Sequence, residues 1–103
     1  MVNNAGTMCH QRKQTEEKLE TSFGVNTAGT MVLTEELYEV LQKTGSQDAP
    51  ARVVTVSSGG MLLADLETKD LQLEGRKEWD GSWAYSVQKR HQVCLTEYWA
   101  KQW

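Results

Sequence analysis

Tyr85 and Lys89 stand four residues apart in Tyr85-Ser-Val-Gln-Lys89. On a helix that spacing puts both side chains on one face, one above the other. A free phenol titrates near ~10 and is a poor acid–base group at neutrality, but an ammonium beside it favours the phenolate. A hydroxyl from another segment, such as Ser58 in Ser57-Ser58, would complete a site that polarises a carbonyl oxygen and hands it a proton. That is carbonyl/alcohol chemistry. The spacing alone is common, and the plain alternative is a solvated lysine beside a packed tyrosine.

Three further stretches bear on the choice. Asn3-Asn4-Ala5-Gly6 follows Val2; Asn26 lies within Gly24-Val25-Asn26-Thr27-Ala28-Gly29; and Arg52-Val53-Val54-Thr55-Val56-Ser57-Ser58-Gly59-Gly60 is a β-branched run ending in hydroxyls and glycines. Each has an ordinary structural reading. Asn4 and Gly6 suit a tight turn, Asn26 a buried amide at a helix bend, and Ser58 a strand-end hydroxyl that satisfies a backbone group.

Taken in order, NNAG, the internal Asn, VSSGG and YxxxK resemble the short-chain dehydrogenase/reductase superfamily. The detail is most similar to its family member 12 branch, through VNNAG, RVVTVSSGGML, Asp70-Leu71-Gln72 and the run from Lys89 to Glu97. The resemblance implies an α/β fold, part of a doubly wound parallel (Rossmann-like) sheet with helices on both faces. It implies an oxidoreductase using NAD or NADP on a small carbonyl or alcohol substrate. Tyr85 would exchange the proton, Ser58 would bind the same oxygen, and Lys89 would serve both the phenol and the nicotinamide ribose. Asn26 would hold, through its backbone carbonyl, a water leading to the lysine. Asn4, Ala5 and Gly6, with Tyr85 and Lys89, would line the cofactor ribose, where a side chain at Gly6 would collide with it. Of Ser57 and Ser58, the second of the pair carries the role in the family.

The same resemblance identifies residues 1–103 as the central part of one dinucleotide-binding domain. The glycine-rich turn that receives the pyrophosphate at a helix N-terminus would precede Met1, and much of the substrate-binding region would follow Trp103. A chain of this extent is expected to bind dinucleotide weakly and to be prone to self-association. The alternative from another functional class is an inactive fragment or pseudoenzyme acting as an interaction module.

Composition sets outer bounds. The 103 residues carry a net charge of −3 with no basic stripe, which argues against a nucleic-acid partner. No apolar run approaches the ~20 residues of a membrane span. No signal-peptide pattern opens the sequence, so a cytoplasmic location is the default expectation unless an N-terminal address lies outside these residues. Cys9 and Cys94 show neither metal-ligand nor redox spacing and read as free thiols, so no metal is expected.

These groups need elements to position them. Met1 to Asn4 reads as the end of a strand. Thr15-Glu-Glu-Lys18 carries a helix-start signature, and the helical pattern runs from there to Lys43. Leu33, Leu37, Val40 and Leu41 form its apolar stripe, which Asn26 and Thr30 extend backwards. Gly24 and Gly29 permit a bend. Arg52 to Val56 reads as a central strand covered on both sides. The segment from Gly59 to Trp83, longer than the corresponding gap in many family members and similar to the insert of retinol-dehydrogenase-like branches, reads as a surface loop with a short helix or strand. Ser82 is placed as the cap of a last helix reaching Lys101, with Ala84, Val87, His91, Cys94, Leu95 and Tyr98 on its apolar stripe. His91 reads as a core or boundary histidine. Trp99 and Trp103 are expected to pack on segments outside the sequence.

Overall fold

A computed structural model describes all residues, 1–103. Two short strands, β1 (Val2–Asn3) and β2 (Val54–Thr55), pair in parallel with Val2 opposite Val54 and Asn3 opposite Thr55. Parallel neighbours need a crossover, and a helical segment supplies it: α1 (Thr21–Phe23), a π-helical turn (Gly24–Gly29), α2 (Thr30–Glu36) and α3 (Tyr38–Thr44). After β2 come a 3₁₀ turn (Gly59–Leu63), an irregular loop and the long helix α4 (Gly81–Gln102).

Both helical layers lie on one face of the sheet. Asn3 donates to Thr34 of α2 at 2.8 Å, and Thr96 of α4 donates to Thr55 at 3.0 Å. Asn3 and Thr55 are register partners, so their side chains share a face. Val2, Val54 and Val56 point away from it and are exposed. The expected cover on both sides of β2, and helices on both faces, therefore do not occur within these residues.

The crossover helix starts later than its sequence suggests. Thr15 instead closes a turn: its carbonyl accepts from Lys18 N and its hydroxyl from Leu19 N, and Lys18 takes a left-handed φ of 64°. The start at Thr21 is set by Glu20, whose buried carboxylate accepts from Ser22 N and Phe23 N, both at 2.8 Å. A carboxylate there meets the positive end of the helix dipole and two otherwise orphaned N–H groups.

The buried face of this helix also differs from the expected one. Asn26, Thr27, Thr30 and Thr34 are buried, while Leu33 and Val40 are about half exposed. Asn26 and Thr30, the backward extension of the expected stripe, are thus buried, whereas Leu33 and Val40 of that stripe are not; Thr30, Leu33 and Thr34 all lie in α2, beyond the π turn. Gly24 and Gly29 bracket this turn.

Helix α4 begins at Gly81, capped by Asp80 Oδ1 on Trp83 N at 3.0 Å rather than by Ser82. Ala84, Val87 and His91 are buried as expected, but Tyr98 is exposed. Trp99 is buried inside the chain, correcting the expectation that it packs elsewhere. Its indole donates to Glu35 at 3.4 Å and stacks on Trp103, which stacks in turn on Tyr38. The loop before α4 is fastened by Arg90 Nε on the Ala64 carbonyl and by a hydrogen bond between His91 and the Glu67 carbonyl. Leu73, at a left-handed φ of 52°, is held with its side chain buried. The Asp70 carboxylate beneath it accepts from Glu74 N and Gly75 N.

Gly81 is required by close approach. A β-carbon there would overlap the Cys9 carbonyl, lying 2.9 Å from its carbon and 3.3 Å from His10 Cα. Trp79 donates to the same carbonyl at 2.9 Å, so the 8–10 segment is pinned against the start of α4. Gly81→Ala should destabilise the protein by about 1–3 kcal/mol, the usual range for overpacking, read as a lowered midpoint in chemical denaturation.

A second expectation concerns acid. The backbone N–H groups of Gly75 and Glu74 hold the Asp70 carboxyl below its ordinary 3.8, and those of Asp70 and Lys69 hold Glu67 below 4.5. Depressed carboxyls contribute stability that is present above the ordinary values and lost as pH falls through the lowered ones. Amide exchange in residues 67–75 should therefore accelerate selectively, relative to α4, once pH drops below about 4.

Candidate functional site

The strand β2 delivers Ser58 at its carboxyl end, and α4 delivers Tyr85 and Lys89 from its first two turns. Ser58 is half-buried, and its hydroxyl accepts from Gly60 N at 3.1 Å, capping the 3₁₀ turn. The backbone-satisfying role is thus present, and it leaves the hydroxyl proton uncommitted. A β-carbon on Gly60 would stand 3.4 Å from Ser58 Oγ and 3.7 Å from Tyr85 Cε1, so serine and phenol flank one spot. Ser57 is exposed. Tyr85 is half-buried, and its hydroxyl makes no hydrogen bond within the chain.

Lys89 is 3% exposed, and its ammonium lies 5.5 Å from the centroid of the Tyr85 ring. It donates to the Val56 carbonyl and to Gln92 Oε1, each at 3.0 Å. An ammonium has three donors, so one N–H remains. Gly6 closes the other side: a β-carbon there would lie 3.5 Å from Lys89 Nζ and 3.4 Å from Asn26 Oδ1. Asn4, Ala5 and Gly6 are exposed. Asn4 and Ala5 line a depression beside Val25 and Leu33, while Ser58 lines a separate one beside Met61 and Val93. The structure thus places Gly6 beside Lys89, Lys89 beside Tyr85 and Tyr85 beside Ser58, while Asn4 and Ala5 line the separate depression next to Gly6.

Asn26 is fully buried and entirely engaged. Its side chain donates to the Thr7 carbonyl at 2.7 Å and to Gln88 Oε1 at 2.9 Å, and it accepts from Thr7 N at 2.9 Å. Its backbone carbonyl accepts from Thr30 Oγ1 at 3.0 Å and Gln92 Nε2 at 2.7 Å. The Gln92 side chain spans that carbonyl and the lysine.

Gln88 and Gln92 are the residues that the sequence reading passed over. Both are fully buried. Gln88 joins Asn26 to the Glu20 carboxylate, donating at 3.1 Å, and to Ser22. With Ala84 four residues before and Trp99 beyond, they lie on a single stripe of α4. A small and a large apolar residue bracketing two amides at helical spacing was the available signal. His91 is outside the site. It is buried between Thr27, which lies 3.1 Å from Nδ1, and Glu67, and it meets Phe23 edge-on. Cys9 and Cys94 are free and half-buried. No cluster of His, Cys, Asp or Glu has metal-binding geometry, and no helix is long and apolar enough to cross a membrane.

Asn26→Ala would leave the Thr7 N–H and carbonyl, in a half-buried place, and the buried Gln88 Oε1 without the partner each has here. Each such group costs about 1–3 kcal/mol, so we expect a loss of about 2–5 kcal/mol, measured by urea unfolding.

Over 101 residues, 98% of its length, the chain is 48% identical to dehydrogenase/reductase SDR family member 12 of Homo sapiens and covers 30% of that protein. It is 42% identical over 72 residues to polyprenol dehydrogenase of Homo sapiens, a match covering 70% of the chain and 22% of that protein. It is 38% identical over 101 residues to retinol dehydrogenase 12 of Mus musculus, covering 98% of the chain and 30% of that protein. No family model and no solved structure matches. The chain therefore spans about 30% of the length of the first curated relatives it matches.

Proposed function

The chain belongs to the short-chain dehydrogenase/reductase superfamily, and from that premise we propose that it supplies the acid–base half of a nicotinamide-dependent oxidoreductase site interconverting an alcohol and its carbonyl. The observation that carries this reading is the meeting of Lys89, Tyr85 and Ser58 at one edge of the sheet, with the Tyr85 hydroxyl free of internal partners. Two of the relatives are named for alcohols, polyprenol and retinol, which suits the proposed chemistry.

In this reading Tyr85 protonates the carbonyl oxygen during reduction and takes the alcohol proton during oxidation. The Ser58 hydroxyl, whose proton is not needed by Gly60, donates to the same oxygen and stabilises its developing charge. Lys89 places positive charge against the phenol and keeps one N–H for the ribose of NAD or NADP. Asn4, Ala5 and Gly6 form the rim on which that ribose rests; the bare α-carbon at Gly6, next to Lys89 Nζ, leaves room for it. Asn26 acts through the groups it holds, fixing the Thr7 loop and the amide beside Lys89. When bound, the nicotinamide supplies the hydride chemistry. The two strands belong, on this reading, to a doubly wound parallel sheet, with ligands outside the strand carboxyl ends as such sheets require.

In the whole protein, Tyr85→Phe should lower turnover by about 10²–10⁴-fold, the usual weight of general acid–base catalysis, and leave nucleotide affinity nearly unchanged. Lys89→Ala should damage both. Steady-state rates with fluorescence titration of NADH and NADPH measure the two effects, and undiminished turnover by Tyr85→Phe would exclude the acid–base role.

A further inference from the structure

Lys89 is a buried cation with no carboxylate partner. The residue is 3% exposed, and its ammonium is coordinated by two neutral oxygens, the Val56 carbonyl and Gln92 Oε1. Charge taken out of water must be compensated by hydrogen bonds, so these two acceptors decide where the ammonium rests. Val56 is backbone at the end of β2 and cannot be substituted away. Gln92 is the side chain on which the position depends.

The Gln92 amide is itself fixed at its other end. Its Nε2 donates to the Asn26 carbonyl at 2.7 Å and to Thr30 Oγ1 at 3.1 Å, which leaves Oε1 turned towards Lys89. The assignment of oxygen and nitrogen follows from these partners, since the reverse would place an NH₂ against an ammonium and an oxygen against a carbonyl. Gln92 sits three residues after Lys89, on the neighbouring helical position, and is fully buried. The π turn at Gly24–Gly29 is where the Asn26 carbonyl meets it.

We propose that Gln92 is the positioning residue for Lys89: its amide clamps the ammonium at the distance from Tyr85 seen here and couples that distance to the π turn through Asn26. This deepens the oxidoreductase reading and, in its catalytic consequence, rests on it. A carboxamide lacks an exchangeable acid–base proton of the kind a water chain passes along, so Gln92 contributes geometry and charge stabilisation rather than a proton path. Its weight falls on the two tasks of the lysine, supporting the phenol and offering the remaining N–H to a ribose.

The test separates the clamp from the activity. The reaction rate of Lys89 with an amine-acylating reagent, followed residue by residue by mass spectrometry on the protein without nucleotide, reads the clamp directly. Gln92→Met keeps the volume and deletes all three side-chain hydrogen bonds; Lys89 labelling should rise about tenfold or more, the scale of losing one hydrogen bond to a charged group. Gln92→Glu keeps an oxygen facing Lys89 and adds the opposite charge, at the cost of the donation to the Asn26 carbonyl, and should leave labelling at or below the native rate. Phe23→Leu, a core change that does not touch the amides, controls for general loosening. If Gln92→Met does not fold, Gln92→Asn, which draws the amide back by one methylene, takes its place. Labelling unchanged in the variant, matched by Phe23→Leu, or raised equally in Gln92→Glu would overturn the clamp. In the whole protein, Gln92→Met should also lower kcat and shift the pH profile of kcat, with Gln92→Glu restoring part of the rate. The expected rise in labelling by Gln92→Met, together with no effect of Tyr85→Phe on turnover, would instead leave the clamp standing and sink the oxidoreductase reading.

Discussion

The structure depends on a buried ladder of amides between α4 and the crossover helix. The Glu20 carboxylate accepts from Gln88, Gln88 accepts from Asn26, the Asn26 carbonyl accepts from Gln92, and Gln92 accepts from Lys89. Each of the three amides, Asn26, Gln88 and Gln92, has its side-chain nitrogen and oxygen answered by protein groups. Inside a protein such a network is strong when complete and costly when a single partner is missing. It therefore sets the helix register more sharply than apolar packing would. A slide of α4 by one residue would break every rung, whereas a greasy interface would repack.

This constraint carries directly into the site. Both strands end at the same edge of a parallel pair, so the Asn4–Gly6 loop and the Ser57–Gly60 loop leave the sheet side by side. The helix α4 crosses that edge with Lys89 against the Val56 carbonyl and Tyr85 one turn earlier, beside Ser58. The Thr7 backbone is gripped at both its N–H and its carbonyl by Asn26, which brings Gly6 up to the ammonium. Four segments distant in sequence converge because the same few amides hold all of them.

Some of this was legible in the sequence. Tyr85 and Lys89 share α4 four residues apart, the serine pair follows β2 and the Asn4–Gly6 stretch follows β1, as the local patterns suggested. The parallel pair and its helical crossover followed from a β-branched run after a helical period. The misreadings have physical causes. Thr15 imitates a helix cap but closes an isolated turn, and the real cap, Glu20, was hidden because glutamate is an uncommon residue there. Within α2, Thr34 and Thr30 turn inward to bond Asn3 and Gln92, and Leu33, which a 3.6-residue period assigns to the apolar stripe, lies half exposed. Trp99 found its partner in Glu35, Trp103 and Tyr38, a tertiary contact that no local pattern announces. Gln88 and Gln92 look like a solvated face, since polarity alone does not distinguish a wetted glutamine from one whose NH₂ and oxygen make three hydrogen bonds inside.

The balance of the interior explains why the ladder matters so much here. Six apolar side chains are buried, Phe23, Ala64, Leu73, Ala84, Val87 and Trp99, two of them alanines, against twelve polar or charged residues. Apolar burial contributes only about 25 cal/mol per Å² and has no direction; hydrogen bonds contribute little net stability but much geometry. A fold with this ratio is specified more firmly than it is stabilised. That suits a site built on a buried lysine. The ammonium needs a fixed set of oxygens within about 3 Å to compensate for lost water, and an interface of amides can present an oxygen at a chosen point where leucines cannot. The polar interior and the placement of Lys89 are thus one design: the same groups that align the two helices provide the acceptor that keeps the charge beside Tyr85.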